Sequence, residues 1–426
     1  MLLVITFLSM FGFMFMGLEI FASMGLAGIL YLLISGNAPL NLIASNMIQG
    51  VQNFTLLAIP FFILVGELMN VTGMTRKLID FIQYFIASKK GGLAHVAITI
   101  NIILACVSGS APANCSAVSS ILVPAMKEED YPEDFAAAVN CSASVIGPII
   151  PPSIPMVVLA TLLNISIGRL FIGGILPGLL LGSIMFGVAA FRMRNMKLVV
   201  DPAKYRTKPL SKVFISAIPG ILAPFIIIFG VLTGVATVTE ISILACAFVM
   251  FVGVVIYKNL TPKIFLRALK KAVLFAATIM ALFSVVGGFT FFIAVERVDV
   301  LLRNMILGAD MSPWMFLLMI NIFFLLLGMI MDAVPAMTIF MPVLMPIAVS
   351  LGIDPIHFGI VVVINLMLGL LTPPVGGLLY VEQKIAGVPF DKLTKQVIPF
   401  VGFMLLGLLL ITYVPALVTF LPNLLF

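Results

Sequence analysis

Long apolar runs separated by short polar or charged turns make up most of the 426-residue chain. A helix needs about 20 predominantly apolar residues to cross a bilayer. The first run, residues 1–35, therefore predicts two crossings that turn near Gly17, and each later continuous run predicts one. Those later runs are 54–72, 168–191, 213–233, 237–257, 272–295 and 397–421. The alternation of about ten residues per strand that marks a membrane barrel does not occur in the sequence.

Four further apolar runs are interrupted near their middle, and the interruptions are of two kinds. Runs 93–126 and 313–349 are broken by polar residues. This predicts two re-entrant hairpins, each of which enters and leaves on one side of the membrane. Runs 135–163 and 356–387 are broken by double prolines. Proline removes a helical hydrogen bond and clashes with the preceding turn, so we expect two broken helices there.

The order of hairpin and broken helix occurs twice, and a fixed offset relates the two copies. Glycines and prolines, which determine backbone geometry, recur at a separation of 222 residues, as in 369 − 147 = 222. The pairs are Gly66 with Gly288, Pro124 with Pro346, Gly147 with Gly369, Pro151 with Pro373, and Pro152 with Pro374. A series repeated in this way predicts an internal duplication.

The duplication divides the chain into four parts. We expect N-terminal scaffold helices over 1–40 and a first repeat over 41–192. A basic cytoplasmic loop with scaffold helices follows over 193–260, and the second repeat covers 261–426. Each repeat is expected to contain an arm helix, a scaffold helix, a hairpin and a broken helix. The amphipathic pieces that could lie at the membrane interface are 41–53, 75–85, 261–271 and 297–305.

Composition and charge fit a polytopic membrane protein of about ten crossings plus two hairpins. The chain is 62% hydrophobic and 9% charged, whereas soluble domains are about half apolar and about a quarter charged. The net charge of +6 lies mostly in short loops, so it reports topology and not nucleic-acid binding. The seven Lys and Arg residues within 192–212 predict a cytoplasmic loop. Counting crossings from that loop makes the two repeats inverted and places both termini in the periplasm.

The interruptions carry the candidate chemistry. Non-helical backbone survives in hydrocarbon only where it is buried in protein or lines a cavity, and secondary transporters use broken helices to hold cations and anionic substrates. The first hairpin tip, from Ser108 to Ser116, offers hydroxyl and carbonyl oxygens suited to sodium. Asp332 takes the place of Ser110 at the second tip, since 332 − 222 = 110. A carboxylate inside a membrane is a candidate functional residue, and Thr372 adds a hydroxyl beside the second double proline.

Other interpretations compete with an ion site. A single proline in a membrane helix is more often a packing kink, but two matched double prolines after polar tips favour ligand binding. Glu19, Glu67 and Glu240 lie near predicted helix ends, where an interfacial position competes with ion ligation. His95 and His357 are isolated, and no nucleophile has an adjacent base, which argues against an enzyme. An ion channel is a further alternative, which steady currents without substrate would support.

Four stretches resemble the large membrane subunit, the M or DctM-like subunit, of tripartite ATP-independent periplasmic (TRAP) transporters. They read SGSAPANCSAVSSILVPAM (108–126), GPIIPPSIP (147–155), MDAVPAM (331–337) and LGIDPIHFGIVVVINLMLGLLTPPVGG (351–377). The resemblance covers essentially the whole chain. It implies a bacterial inner-membrane subunit that imports an organic acid with sodium by an elevator mechanism, in which hairpins and broken helices move against a scaffold. It also implies two partners: a small four-helix membrane subunit and a periplasmic substrate-binding protein.

The resemblance also assigns site residues, position by position. Transported Na⁺, about two ions or more, would occupy two sites formed by Ser108, Ser110, Gly147 and Ile150, and by Gly328, Asp332, Gly369 and Thr372. The substrate would lie between the two tips, near Ser110, Asn114, Pro152, Pro335 and Pro374. Pro112 and Asn114 stand where small residues are commoner in the family. Sialic acid and C4-dicarboxylates both remain open as substrates, and so does a stand-alone sodium/anion elevator symporter that needs no binding protein.

Overall fold

The computed structural model describes residues 2–35, 40–199, 202–297 and 311–426. Every regular element in those ranges is a helix, which confirms the all-α class. Eight helical segments among the described residues are long and apolar enough to cross a membrane, judged by length and composition. They are Phe54–Val71, Ile167–Met193, Leu210–Thr233, Val238–Ile256, Pro262–Phe292, Pro313–Ile330, Ala333–Ser350 and Phe390–Tyr413.

Shorter apolar helices accompany these eight. The first run forms α1 and α2, which are separated at Gly17 as expected. The helices of the N-terminal half are α1 Leu2–Phe15, α2 Ile20–Ser35, α3 Leu40–Val51, α4 Ala58–Val71, α5 Met74–Ile86, α6 Gly92–Ser108, α7 Ala111–Lys127, α8 Glu133–Ser144, α9 Ile154–Leu163 and α10 Ile167–Met193. Those that follow are α11 Pro202–Tyr205, α12 Leu210–Thr233, α13 Val238–Phe251, α14 Pro262–Val295, α15 Pro313–Ile330, α16 Ala333–Ser350, α17 Pro355–Gly369, α18 Gly377–Ala386, α19 Phe390–Tyr413 and α20 Ala416–Leu425.

The helices are interrupted at the positions that the sequence predicts. Helices α6 and α7 form hairpin 1, and α15 and α16 form hairpin 2. Break 1 (residues 145–153) separates α8 from α9, and break 2 (residues 370–376) separates α17 from α18. Both breaks contain their double proline, and both prolyl pairs have a cis peptide bond. The same order of elements therefore occurs in both halves of the chain, while the inversion of one half stays a prediction.

Two predicted boundaries differ from the structure. The arm at 261–271 and the crossing at 272–295 form one continuous helix, α14, because no glycine or proline lies between Pro262 and Gly287. The last crossing, predicted over 397–421, is two helices, since α19 ends at Tyr413 and Pro415 caps α20. The amphipathic piece at 297–305 lies almost entirely outside the described residues.

The half-helices before the two breaks are the most enclosed elements. Residues Phe135–Ser144 of α8 and Ile356–Gly369 of α17 are all buried. A helix that is covered on every side needs small or apolar residues around its whole circumference, and AAAVNCSAS in α8 and HFGIVVVINLMLG in α17 meet that need. Each break therefore begins deep inside the protein, where only protein groups or bound ions can satisfy freed backbone atoms.

Candidate functional site

The tip of hairpin 1 is a tight turn held by a serine and an asparagine. Gly109 has a φ of +55°, and a Cβ there would come within 2.8 Å of the carbonyl oxygen of Pro152, so only glycine fits. Ser108 Oγ donates a hydrogen bond of 2.6 Å to Asn114 Oδ1. The Ser110 amide lies 3.3 Å from Ser108 Oγ, to which it donates. The tip thus packs directly against the backbone of break 1.

Asn114 connects this tip to Gly147. Its side chain is buried, and its Nδ2 atom has no hydrogen-bond partner. A Cβ at Gly147 would lie 2.7 Å from that nitrogen, so the amide and the glycine are in direct contact. The sequence grouped Asn114 with the substrate residues. The structure places it with Ser108 and Gly147, two members of the predicted first sodium site.

The other two members of that site lie close by in the chain but are held differently. Ser110 is the N-cap residue of α7, and its side chain makes no capping hydrogen bond. Ile150 lies in break 1, where its amide donates to the carbonyl of Ile146 at 3.1 Å. Its side chain packs on α10, because a Cβ at Gly178 would lie 2.3 Å from Ile150 Cγ1.

The predicted second site is built around a contact of two glycines. A Cβ at Gly369 would lie 2.6 Å from the Gly328 backbone, so α15 and α17 approach as closely as glycines permit. Thr372 donates its amide to the Gly369 carbonyl at 2.9 Å and its hydroxyl to the Leu368 carbonyl at 2.8 Å. The amide of Gly376 donates to the Met329 carbonyl at 3.3 Å. Break 2 is thereby fixed against the end of α15.

Asp332 stands at the N-terminus of α16, where its Oδ1 atom accepts a 2.6 Å hydrogen bond from the Ala333 amide. A carboxylate at this end of a helix is favoured by the helix dipole. Ser110 and Asp332 are both N-cap residues of the second hairpin helix, which fits their equivalence under the 222-residue offset. The rest of the Asp332 side chain is exposed to a cavity.

Two cavities open at the tips. The first, of about 710 Å³, separates hairpin 1 from α4, α5 and α14. Its polar lining includes Asn70, Thr75, Arg76, Lys271, Ser110 and Ser116. The second, of about 390 Å³, separates Asp332 and Pro335 from α14 and from the turn between α1 and α2. Phe275 of α14 lines both cavities.

The predicted substrate residues are divided between these places. Ser110 lines the first cavity and Pro335 the second. The Pro152 carbonyl is covered by Gly109, and Pro374 is exposed. One shared substrate cavity does not join all five residues in this conformation, and their role stays a prediction.

The three other carboxylates weighed in the sequence have distinct places. Glu67 lines the first cavity and lies 3.5 Å from Lys271. Glu19 lines the second cavity together with Asp332. Glu240 forms a capping box with Thr237 at the start of α13, which accounts for it as a structural residue.

Sequence reasoning did not single out Glu382. This residue of α18 is fully buried and accepts hydrogen bonds from Cys115, Ser119 and Asn140. A carboxylate in the short apolar segment GLLYVEQKIA is the signal that could have found it, because intramembrane carboxylates are rare.

Residues of the basic loop that follows α10 contact the turn after hairpin 1. Glu128 forms an ion pair with Lys204, and the hydrogen bond from Lys204 lowers the pKa of Glu128. Tyr205 donates to the buried carboxylate of Glu129. Burial, reinforced by that hydrogen bond, raises the pKa of Tyr205. The loop is therefore a structured part of the protein at this turn.

Comparison with known proteins identifies the family. Residues 7–417 match the DctM component of the tripartite ATP-independent periplasmic transporters. The chain is 33% identical to the sialic acid TRAP transporter large permease protein SiaM of Vibrio cholerae over 97% of this chain and 96% of that protein. It is 36% identical to the C4-dicarboxylate TRAP transporter large permease protein DctM of Pseudomonas aeruginosa over 94% of both chains.

A solved structure has a similar fold. The YdaH transporter of Alcanivorax borkumensis superposes with a TM-score of 0.63 at 14% identity, over 87% of this chain and 86% of that one. This likeness concerns the fold alone. The family match, which spans nearly the whole chain, decides the identity. The chain belongs to the DctM family and is a multi-pass membrane subunit of a tripartite ATP-independent periplasmic transporter, not an enzyme.

Proposed function

We propose that this chain is the large subunit of a sodium-coupled importer of an organic acid in the bacterial inner membrane. The acid would be delivered by a periplasmic binding protein, and a small four-helix membrane subunit would flank the chain. Similar proteins carry the names of sialic acid and C4-dicarboxylate TRAP permeases. Both substrate classes are carboxylates, so the proposal is an anion that enters together with a cation.

The main observation in support of sodium coupling is the contact of Asn114 with Gly147. A buried amide nitrogen without a partner is costly, and the N and O atoms of an amide are assigned from their surroundings. Rotating the amide would let Nδ2 donate to Ser108 Oγ and would direct Oδ1 at Gly147. An unpaired oxygen would then face the site. Neutral oxygens of this kind, together with carbonyls of a broken helix, are what transporters use for Na⁺.

The first cavity supports a carboxylate substrate. Arg76 and Lys271 line it together with the serines of hairpin 1. In this conformation Arg76 is paired with Asp80 and Lys271 with Glu67, so a substrate carboxylate would compete with those partners. Cationic donors form the strongest hydrogen bonds with carboxylates. Its volume of about 710 Å³ lies within the range of about 300–1,000 Å³ usual for small-molecule pockets.

An elevator movement fits the division of the helices. Hairpins and broken helices pack on one another. Gly109 of hairpin 1 meets the Pro152 carbonyl of break 1, and Gly359 of α17 meets Leu159 of α9. Both cavities lie between a hairpin tip and α14. A body formed by hairpins and breaks could move past α14 while it keeps the sites intact.

Uptake into proteoliposomes tests the proposal and its alternative. The chain is reconstituted with the small subunit and binding protein of its own system, and uptake of N-acetylneuraminate is compared with uptake of succinate. The proposal predicts accumulation of one of them that needs both a sodium gradient and the binding protein. Accumulation without the binding protein would favour the stand-alone symporter instead.

A further inference from the structure

Glu382 lies at a junction of three helices inside the protein. Its Oε1 atom accepts a hydrogen bond of 2.7 Å from the Ser119 hydroxyl. Its Oε2 atom accepts from the Cys115 thiol at 2.8 Å and from Asn140 Nδ2 at 3.0 Å. The donors belong to α7 and α8 of the first repeat, whereas Glu382 belongs to α18 of the second.

Additional hydrogen bonds extend this junction within the first repeat. Asn140 Nδ2 also donates to the Cys115 carbonyl at 3.0 Å, and Asn101 Nδ2 of α6 donates to Asn140 Oδ1 at 3.0 Å. Asn101 holds the side-chain amide of Asn140, which in turn donates to the carboxylate. The second leg of hairpin 1, the half-helix α8 and the half-helix α18 therefore meet at one carboxylate, and Asn140 connects them to the first leg, α6.

The junction lies beside the first candidate cation site and on the helix that follows the second. Cys115 directly follows Asn114, the residue that touches Gly147. Helix α18 begins at Gly377, directly after break 2, which carries Thr372. A shift of hairpin 1 that accompanies a change at Asn114 must displace α18 or break the hydrogen bonds to Glu382.

We infer that Glu382 is a positioning residue that fastens break 2 to hairpin 1 and so couples the two cation sites of the proposed sodium symport. It does not touch the ions. A cation bound at the first site restrains hairpin 1. The hydrogen bonds to Glu382 then also restrain α18, the helix that follows the second site. Each of two coupled ligands then raises the affinity for the other. The coupling between ion sites rests on the proposed function. The hydrogen bonds that Glu382 accepts from the first repeat can be tested without ions.

The test compares Glu382→Gln with Ser242→Ala in the reconstituted complete system. Glutamine has the shape of glutamate but replaces one acceptor oxygen by a donor, which faces groups that already donate. Ser242 of α13 is an equally buried control, which donates to the Thr239 carbonyl within its own helix at 2.6 Å. The first readout is the Hill coefficient of uptake against sodium concentration. The second is hydrogen exchange of the Gly377–Ala386 amides in sodium-free buffer.

The inference predicts that Glu382→Gln lowers the Hill coefficient towards unity, raises the half-saturating sodium concentration about tenfold, and accelerates exchange in α18. Ser242→Ala should leave all three unchanged. If Glu382→Gln does not fold, Ser119→Ala removes a single donor and should give a smaller change in the same direction. Unchanged cooperativity and unchanged exchange in α18 would overturn the inference.

The proposed function and the contact between Glu382 and hairpin 1 can be overturned independently. Uptake by the unaltered protein that ignores sodium overturns the proposed function, and with it the coupling of ion sites. Faster exchange in α18 that is confined to the Glu382 and Ser119 variants would then still support the fastening contact by itself.

Discussion

The hydroxyl of Ser108 donates a 2.6 Å hydrogen bond to Oδ1 of Asn114 across the turn of hairpin 1. This bond connects the end of one membrane helix with the start of the next. It also holds the Asn114 amide against Gly147 of break 1. The tip and the break therefore form one structural unit. The proposed function assigns sodium binding to that unit.

Loss of the Ser108 hydroxyl should weaken sodium dependence. In Ser108→Ala, Asn114 loses its hydrogen bond to Ser108 Oγ and the site loses an oxygen. We expect the half-saturating sodium concentration of uptake to rise about tenfold, as for the loss of one hydrogen bond. Ser183→Ala in α10 is the control. Its hydroxyl donates to the Leu179 carbonyl within its own helix at 2.8 Å. Equal sodium dependence in the two variants would contradict the role of Ser108.

A methyl group at Gly369 should separate α15 from α17. A Cβ there would lie 2.6 Å from the Gly328 backbone, so Gly369→Ala forces a backbone shift that costs about 1–3 kcal/mol. We expect a lower melting temperature and loss of uptake. Gly402→Ala is the matched control, because nothing lies within 4 Å of its added methyl. That change should be neutral or stabilising by about 1 kcal/mol.

The charge of Lys271 should matter for substrate and not for folding. Lys271 lines the first cavity, whereas the neighbouring Lys270 does not line it. Lys271→Gln is expected to raise the KM for the carboxylate about tenfold through loss of a charged hydrogen bond, with little change in melting temperature. Lys270→Gln should leave KM unchanged. If both variants behave alike, the cavity is not the substrate route.

The contact between the basic loop after α10 and the turn after hairpin 1 can be tested by proteolysis. Tyr205→Phe removes the hydrogen bond to the carboxylate of Glu129, a bond to a charged group worth about 1.5–3 kcal/mol. We expect trypsin to cleave faster at Lys204 and Arg206 in this variant. Tyr380→Phe, at an exposed tyrosine of α18, should be cleaved at the unaltered rate. A Tyr205→Phe protein as resistant as the parent would show that the bond does not hold the loop.

Helix interruptions were the features that the sequence predicts best. Glycines and prolines act on the backbone locally, so the hairpin tips and both breaks could be placed from the residues themselves. The split at Pro415 was missed, because the proline lies at the end of a long apolar run. The arm and the crossing of α14 were separated in error, because a change from basic to apolar residues alone does not end a helix.

Side-chain neighbours across the fold could not be predicted in the same way. The role of Glu382 depends on α18 returning beside α7 and α8, a contact between residues more than 240 positions apart. The position of Asn114 beside Gly147 likewise depends on how hairpin 1 meets break 1. A single sequence contains the residues of such contacts but not their distances.

Sodium dependence of uptake tests the central claim most directly. The measurement is substrate accumulation in proteoliposomes under an inward sodium gradient and under an equal potassium gradient, for the unaltered chain and for Asp332→Asn. Asparagine keeps the helix cap but removes the charge. The account predicts accumulation with sodium only, and a loss of that accumulation in Asp332→Asn. Equal accumulation under both gradients, unchanged by Asp332→Asn, would contradict it.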